Sequence, residues 1–256
     1  MSDTVLKTLL EKDGCLLRLR LARPKANLVD AAMIAALRDA LSEHLSNTHL
    51  RAVLLDAEGP HFSFGASVEE HLPESCAAML QQLHALVLQI LESPVPFLVA
   101  LKGQCLGGGL EVAAAGHLLF AAPNTSLGQP EIKLGVFAPA ASCLLPERIG
   151  QAHAEDLLFS GRSLGAEEAH RMGLVDVLAD DPEQAALAYY DEHYASRSAS
   201  SLRLAVRAAR TGVVDRIRVK LAAVERLYLE DLMTTHDAVE GLSAFIGKRP
   251  AVWEDR

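Results

Sequence analysis

Apolar positions along the chain recur at two spacings, and the switches between them mark the elements. Residues 15–21, Cys-Leu-Leu-Arg-Leu-Arg-Leu, alternate polar and apolar and then meet Pro24, which predicts a half-buried strand ending in a loop. Met33, Ile34, Leu37, Leu41 and Leu45 recur at three- and four-residue spacing, one face of a helix, with Asp30 as its N-cap. Residues 51–56 form a short apolar strand, and 58–65 a loop. Helical spacing returns over 76–91 through Met79, Leu83, Leu86, Val87 and Ile90, until Pro94 and Pro96 stop it. Strands are expected at 97–101 and 117–122, with a glycine-rich turn and a helix over 110–115 between them. The segment 127–135 reads as a loop or short strand.

Strands alternating with helices point to an α/β architecture in which helices cover a sheet. From Pro182 onward strand signals disappear, and helical ones dominate over 183–246. The boundary is placed at a core of residues 1–195 followed by a helical C-terminal region, 196–256. Within that region Leu221, Val224, Leu227, Tyr228, Leu232 and Met233 form a broad apolar stripe that suits either intramolecular packing or a subunit contact.

Composition narrows the class. Half of the 256 residues are apolar, enough for a sizeable core without staples. Cys15, Cys76, Cys105 and Cys143 are widely separated, with neither C-x-x-C nor zinc-ligand spacing, so a reducing cytoplasm fits. Residues 1–14 are charged and lack a continuous apolar core, so no signal peptide is expected, and no run approaches the length of a membrane helix. A net charge of -9 disfavours a nucleic-acid partner. Lys and Arg do gather between Arg203 and Lys220, but Leu204, Val206, Val213, Ile217 and Val219 interrupt them at helical spacing, the mark of a solvated helix face.

The candidate chemistry lies in two short stretches. Gly107-Gly-Gly109 sits between a strand and a helix, where glycine lets the backbone approach a ligand and helix N-terminal amides can stabilise negative charge. Neither the dinucleotide fingerprint nor the Walker pattern is present, and the ten histidines show no ligand spacing. Glu111 follows the glycines within an otherwise apolar helix start; alone, it reads as an acid favoured by the helix dipole. Glu131 alone reads as an ordinary exposed acid. Together, one strand and turn apart, they can reach one cleft, where two carboxyls cannot both ionise cheaply and so offer an acid and a base at neutral pH.

These stretches carry a resemblance. Arg23-Pro-Lys-Ala-Asn27, Phe62-Ser-Phe-Gly-Ala-Ser67, Gly103-Gln-Cys-Leu-Gly-Gly-Gly-Leu-Glu111 and Gly128-Gln-Pro-Glu131 make the chain similar to the enoyl-CoA hydratase/isomerase, or crotonase, family over nearly its whole length. The resemblance implies a crotonase-like spiral of ββα units with a helical C-terminal trimerisation region, assembled as a homotrimer or a dimer of trimers. It implies an acyl-CoA substrate and no cofactor or metal, coenzyme A being part of the substrate. Glu111 and Glu131 take the catalytic places, and the N–H groups of Ala66 and Gly108 the oxyanion hole. Lys25, Ala26, Ser67, Val68, Phe245 and Lys248 take the coenzyme A contacts. Ser67 stands where the family commonly has Asp, Ala140 and Ala141 replace a usual Gly-Gly, and Phe137 adds bulk, so the acyl pocket is expected to be unusual. Residues 62–71 look closest to members that hydrate a cyclic conjugated dienoyl thioester in anaerobic aromatic degradation. An acyclic enoyl-CoA hydratase or isomerase, and a noncatalytic or RNA-associated member, stay as alternatives.

Overall fold

The computed structural model describes residues 4–256; the first three residues of the charged N-terminal segment lie outside the described residues. The chain runs through β1 (Leu6–Glu11), β2 (Leu16–Leu21), α1 (Ala31–His44), β3 (Ala52–Ala57), α2 (Cys76–Leu91), β4 (Phe97–Leu101), β5 (Gln104–Leu106) and α3 (Gly108–Ala115). It continues with β6 (Leu118–Ala121), β7 (Ser126–Gly128), α4 (Pro139–Ile149), α5 (Gln151–Ser160), β8 (Ser163–Gly165), α6 (Ala166–Arg171) and β9 (Val177–Leu178). Four helices finish it: α7 (Pro182–His193), α8 (Ala199–Arg210), α9 (Val213–Arg226) and α10 (His236–Ile246).

The larger sheet has the order β1-β2-β3-β4-β6-β9, and the smaller β5-β7-β8. Apart from the β1–β2 hairpin, neighbours in the larger sheet are parallel. Successive units place one strand in each sheet and then a helix. β4, β5 and α3 make one such unit, while β3, the parallel bridge of Ser63 to Cys105, and α2 make another. This is the ββα repeat that the resemblance implies.

Central strands β3 and β4 are buried along their whole length, which is why they read as continuous apolar runs. On one face of the sheet Leu17, Leu19, Val53, Leu55 and Val99 join the main core with α1, α2 and α3. On the other, Leu16, Leu54, Leu98 and Phe120 pack against Ala186 and Tyr190 of α7. Asp30 caps α1 as expected, accepting from the Met33 N–H at 3.0 Å.

One strand went unread, and two expectations need correction. The N-terminal segment contributes an edge strand, β1, whose outward residues hide any alternation. Residues 130–134, read as loop or short strand, form a 3-10 turn, Pro130–Leu134, closed by Gly135 in the left-handed region at φ 73°. The basic stretch 203–220 is more than a solvated face: Arg203 donates to the carbonyl of Leu45 at 3.3 Å and Arg210 to that of Gly116 at 3.0 Å.

The C-terminal stripe serves internal packing. Leu221 and Tyr228 are buried in the main core, and Val224, Leu232 and Met233 pack against it, whereas Leu227 is half exposed. Helix α9 lies against α4 and α2, which themselves contribute Pro139, Leu80 and Leu83 to the cavity described next.

Candidate active site

The two glutamates reach a single cavity from different elements. Glu111 is held in the first turn of α3 and is 3% exposed, so its expected role as a solvated dipole partner does not hold. Its Oε1 accepts the backbone N–H of Ala141 at 2.8 Å, an amide of the first turn of α4. Glu131 rides on the 3-10 turn, half-buried, and lines the same cavity. With its amide nitrogen turned to the carboxylate, the buried Gln129 side chain donates to both Glu131 oxygens at 3.1 and 3.0 Å.

Burial raises the pKa of Glu111, and the Ala141 and Ala140 N–H groups oppose the rise by stabilising the ionised form. Burial also raises that of Glu131, and the nearby charge of Glu111 raises it further. Two buried carboxyls so placed resist losing both protons together, an arrangement able to offer an acid and a base.

Each of the three glycines has its own spatial reason. Gly107 has φ 50°, and a Cβ there would stand 2.6 Å from Glu131 Oε1. One at Gly108 would stand 3.2 Å from the Ala66 nitrogen, and one at Gly109 would strike the Ser63 side chain at 2.6 Å. The chain therefore brings Ala66 and Gly108 side by side. Gly108 opens α3, so its N–H has no acceptor within the helix. Among the described residues the Ala66 N–H also has no protein acceptor. Two unpaired amides beside two carboxyls are the makings of an oxyanion site.

The cavity holds about 460 Å³. Ala66, Val68, Gly108, Glu111, Glu131 and Phe245 all line it, but Lys25, Ala26, Ser67 and Lys248 do not. Ala26 stays close to its rim, since its carbonyl accepts the N–H of Phe64, an exposed ring at the mouth. Lys25 and Lys248 are exposed, and Ser67 donates its hydroxyl to Glu69 at 2.9 Å.

Other cavity residues escaped the sequence reading. His71 Nδ1 lies 2.7 Å from the Ser67 carbonyl, which can only accept, so Nδ1 carries the proton and Nε2 is left as an acceptor. Burial lowers its pKa and keeps the ring neutral. Gln129 and the amides of Ala140 and Ala141 were visible only as motif and substitution; Pro139, at the first position of α4, was the available sign that amides follow unpaired. Cys105 and Cys143 are free and buried within the main core. Among the described residues no group of three or more His, Cys, Asp or Glu could hold a metal ion, and no helix is long and apolar enough to cross a membrane.

Known proteins share this framework. Residues 11–256 match the family model described as enoyl-CoA hydratase/isomerase. The cyclohexa-1,5-dienecarbonyl-CoA hydratase of Thauera aromatica is 72% identical over 255 residues, spanning 100% of this chain and 99% of the relative. A putative enoyl-CoA hydratase/isomerase, YngF of Bacillus subtilis, is 32% identical over 99% of both chains. Among solved structures, an enoyl-CoA hydratase/isomerase from Pseudoalteromonas atlantica superposes with a TM-score of 0.84 at 28% identity, covering 98% of this chain and 100% of that one. An enoyl-CoA hydratase from Mycobacterium avium subsp. paratuberculosis, at 22% identity and a TM-score of 0.85 over 98% and 99% of the two chains, has the same fold.

Proposed function

The chain belongs to the enoyl-CoA hydratase/isomerase family, and from that membership we propose that it adds water to cyclohexa-1,5-diene-1-carbonyl-CoA in anaerobic aromatic degradation. The product is 6-hydroxycyclohex-1-ene-1-carbonyl-CoA. The observation that carries the reaction type is the pair of carboxyls with raised pKa values on one cavity, beside two free amides. The 72% identity to the Thauera enzyme supports the choice of acyl group.

In this reading the Ala66 and Gly108 N–H groups hold the thioester oxygen as it gains negative charge, a contact worth about 3 kcal/mol per donor. Glu111, whose ionised form is favoured by the α4 amides, takes a proton from water as the oxygen bonds to the carbon β to the thioester. The electron pair moves through the diene, and its far end takes the proton of Glu131, kept protonated by burial and by the charge of Glu111. This is a 1,4-addition; one water is consumed, and the proton gained by Glu111 balances the one lost by Glu131. Coenzyme A is part of the substrate, and the chemistry calls for no cofactor and no metal. Val68 and Phe245 flank the thioester's coenzyme A portion, with Lys25, Ala26, Ser67 and Lys248 contacting it beyond the cavity mouth.

Incubating the purified protein with the cyclic dienoyl-CoA and with crotonyl-CoA tests the assignment. The cyclic substrate is expected to be hydrated with the higher kcat/KM, and a clear preference for crotonyl-CoA would defeat it. The same reading takes the protein to be cytoplasmic and its C-terminal helices to assemble a homotrimer or a dimer of trimers. Exposed Leu204 on α8 and Val219 on α9 suit such a contact, and light scattering that shows a monomer would remove it.

A further inference from the structure

One aromatic ring walls the inner end of the cavity, and a second ring backs it. Exposed Phe64 and Phe245 mark the mouth, while Leu80, Leu83 and Val136, all buried, mark the inner end. Phe137 follows Val136 and lines the cavity with it. Its ring meets Tyr228 edge-on, with centroids 5.2 Å apart and planes at 72°.

Neither ring is free to retreat. Tyr228 is wholly buried and lies on Leu227–Asp231, a single turn of π-helix that follows α9. Its hydroxyl has no protein partner among the described residues, so packing alone holds the ring behind Phe137. The backbone around Phe137 is pinned at both sides. The Val136 N–H donates to the Glu131 carbonyl at 3.3 Å, and four residues beyond Phe137 the Ala141 N–H donates to Glu111. Moving the wall therefore means moving a catalytic carboxylate.

We infer that Phe137, backed by Tyr228, is the residue that sets acyl-group specificity, limiting the cavity to a short or ring-shaped acyl group and excluding long straight chains. This deepens the hydratase reading and rests on it for the orientation of the thioester. A ring presents its carbons compactly beside the two glutamates, whereas a straight chain of greater length has to pass through the plane that Phe137 occupies.

The test is a chain-length profile with crotonyl-, hexenoyl-, octenoyl- and decenoyl-CoA on the wild type, Phe137→Ala and the milder Phe137→Leu, each checked for folding by its melting curve. The wild type is expected to lose kcat/KM steeply toward decenoyl-CoA. Each methylene newly admitted is worth about four-fold in affinity, so Phe137→Ala should raise the decenoyl-to-crotonyl ratio by about ten-fold or more, with Phe137→Leu between. An unchanged ratio in both variants, or a wild type as active on decenoyl- as on crotonyl-CoA, overturns the inference. Calorimetric titration with the saturated acyl-CoAs reads the same cut-off as a ratio of Kd values. A protein that shows the cut-off yet fails to hydrate the cyclic dienoyl-CoA would sink the proposed substrate and leave the wall standing.

Discussion

The backbone N–H of Ala141 donates to Oε1 of Glu111 at 2.8 Å, so the N-terminus of one helix holds the carboxylate carried by another. A positive helix end and a charge-assisted hydrogen bond both favour the ionised form, which suits Glu111 for the role of base. Replacing Glu111 by Gln keeps the size and an oxygen for Ala141 while removing the titrating group. Hydration should fall by about 10³-fold, with the melting temperature at neutral pH nearly retained. Glu131→Gln should cost a similar factor by removing the acid, and full activity in either variant would rule out shared handling of water and proton.

Gly107 and Glu131 offer a steric test. Gly107 is in a left-handed conformation with the Glu131 carboxylate where its Cβ would stand. Gly107→Ala should therefore strain the turn and push Glu131 aside. A displacement of that kind costs about 100-fold in kcat. A Gly107→Ala variant with wild-type kcat would show that the position of Glu131 is less critical than its contacts imply.

The legible and illegible parts divide by the distance over which the physics acts. Helix α2 and strand β4 occupy the residues their apolar spacing marked, because each buries a face set by its own periodicity. Strand β1 was hidden because, at the edge of the sheet, it leaves Leu9 and Leu10 exposed and breaks the alternation. Glu111 stood out as an acid within an apolar helix start, whereas Glu131, ordinary by itself, gained weight only from its pairing with Glu111 and from the motif that carries it. The pairing of Ala141 with Glu111 spans 30 residues, and Tyr228 reaches Phe137 from a helix of the C-terminal region. No local pattern announces contacts of that range.

The raised carboxyl pKa values also govern stability against pH. Burial, then the charge of Glu111, raises Glu131, so folding favours its protonated form. A group whose folded pKa lies above its unfolded value gives its full stabilisation below the unfolded pKa and loses it as pH rises through the folded one. In the wild type, this contribution should fade as pH climbs from the ordinary carboxylate range past neutrality. Glu131→Gln removes this contribution and leaves that of Glu111 in place. Melting temperatures measured from about pH 5 to about pH 9 should show the variant gaining steadily on the wild type as pH rises. A constant or shrinking difference would mean that the carboxyl is not held protonated by its surroundings.

On the far face of the larger sheet, Asp56 offers a prediction separable from catalysis. Its side chain is fully buried, accepting from Arg18 Nε at 2.7 Å and from Arg20 Nε at 2.8 Å. Glu183 of α7 then binds Arg18 at 2.9 Å and Lys102 at 2.6 Å, so one buried carboxylate organises the ion pairs between sheet and helix. Removing one partner of a buried pair is far costlier than the net worth of the pair, because the remaining charges stay desolvated. Asp56→Ala should lose about 3–5 kcal/mol in urea unfolding. Leu55 and Ala57 turn toward the main core while Leu54 turns toward α7, and the alternation sends Asp56 the same way as Leu54, away from the cavity. At a temperature where the variant is folded, its kcat should match the wild type within about two-fold. A loss of kcat without a loss of stability would show that the sheet transmits this network to the glutamates.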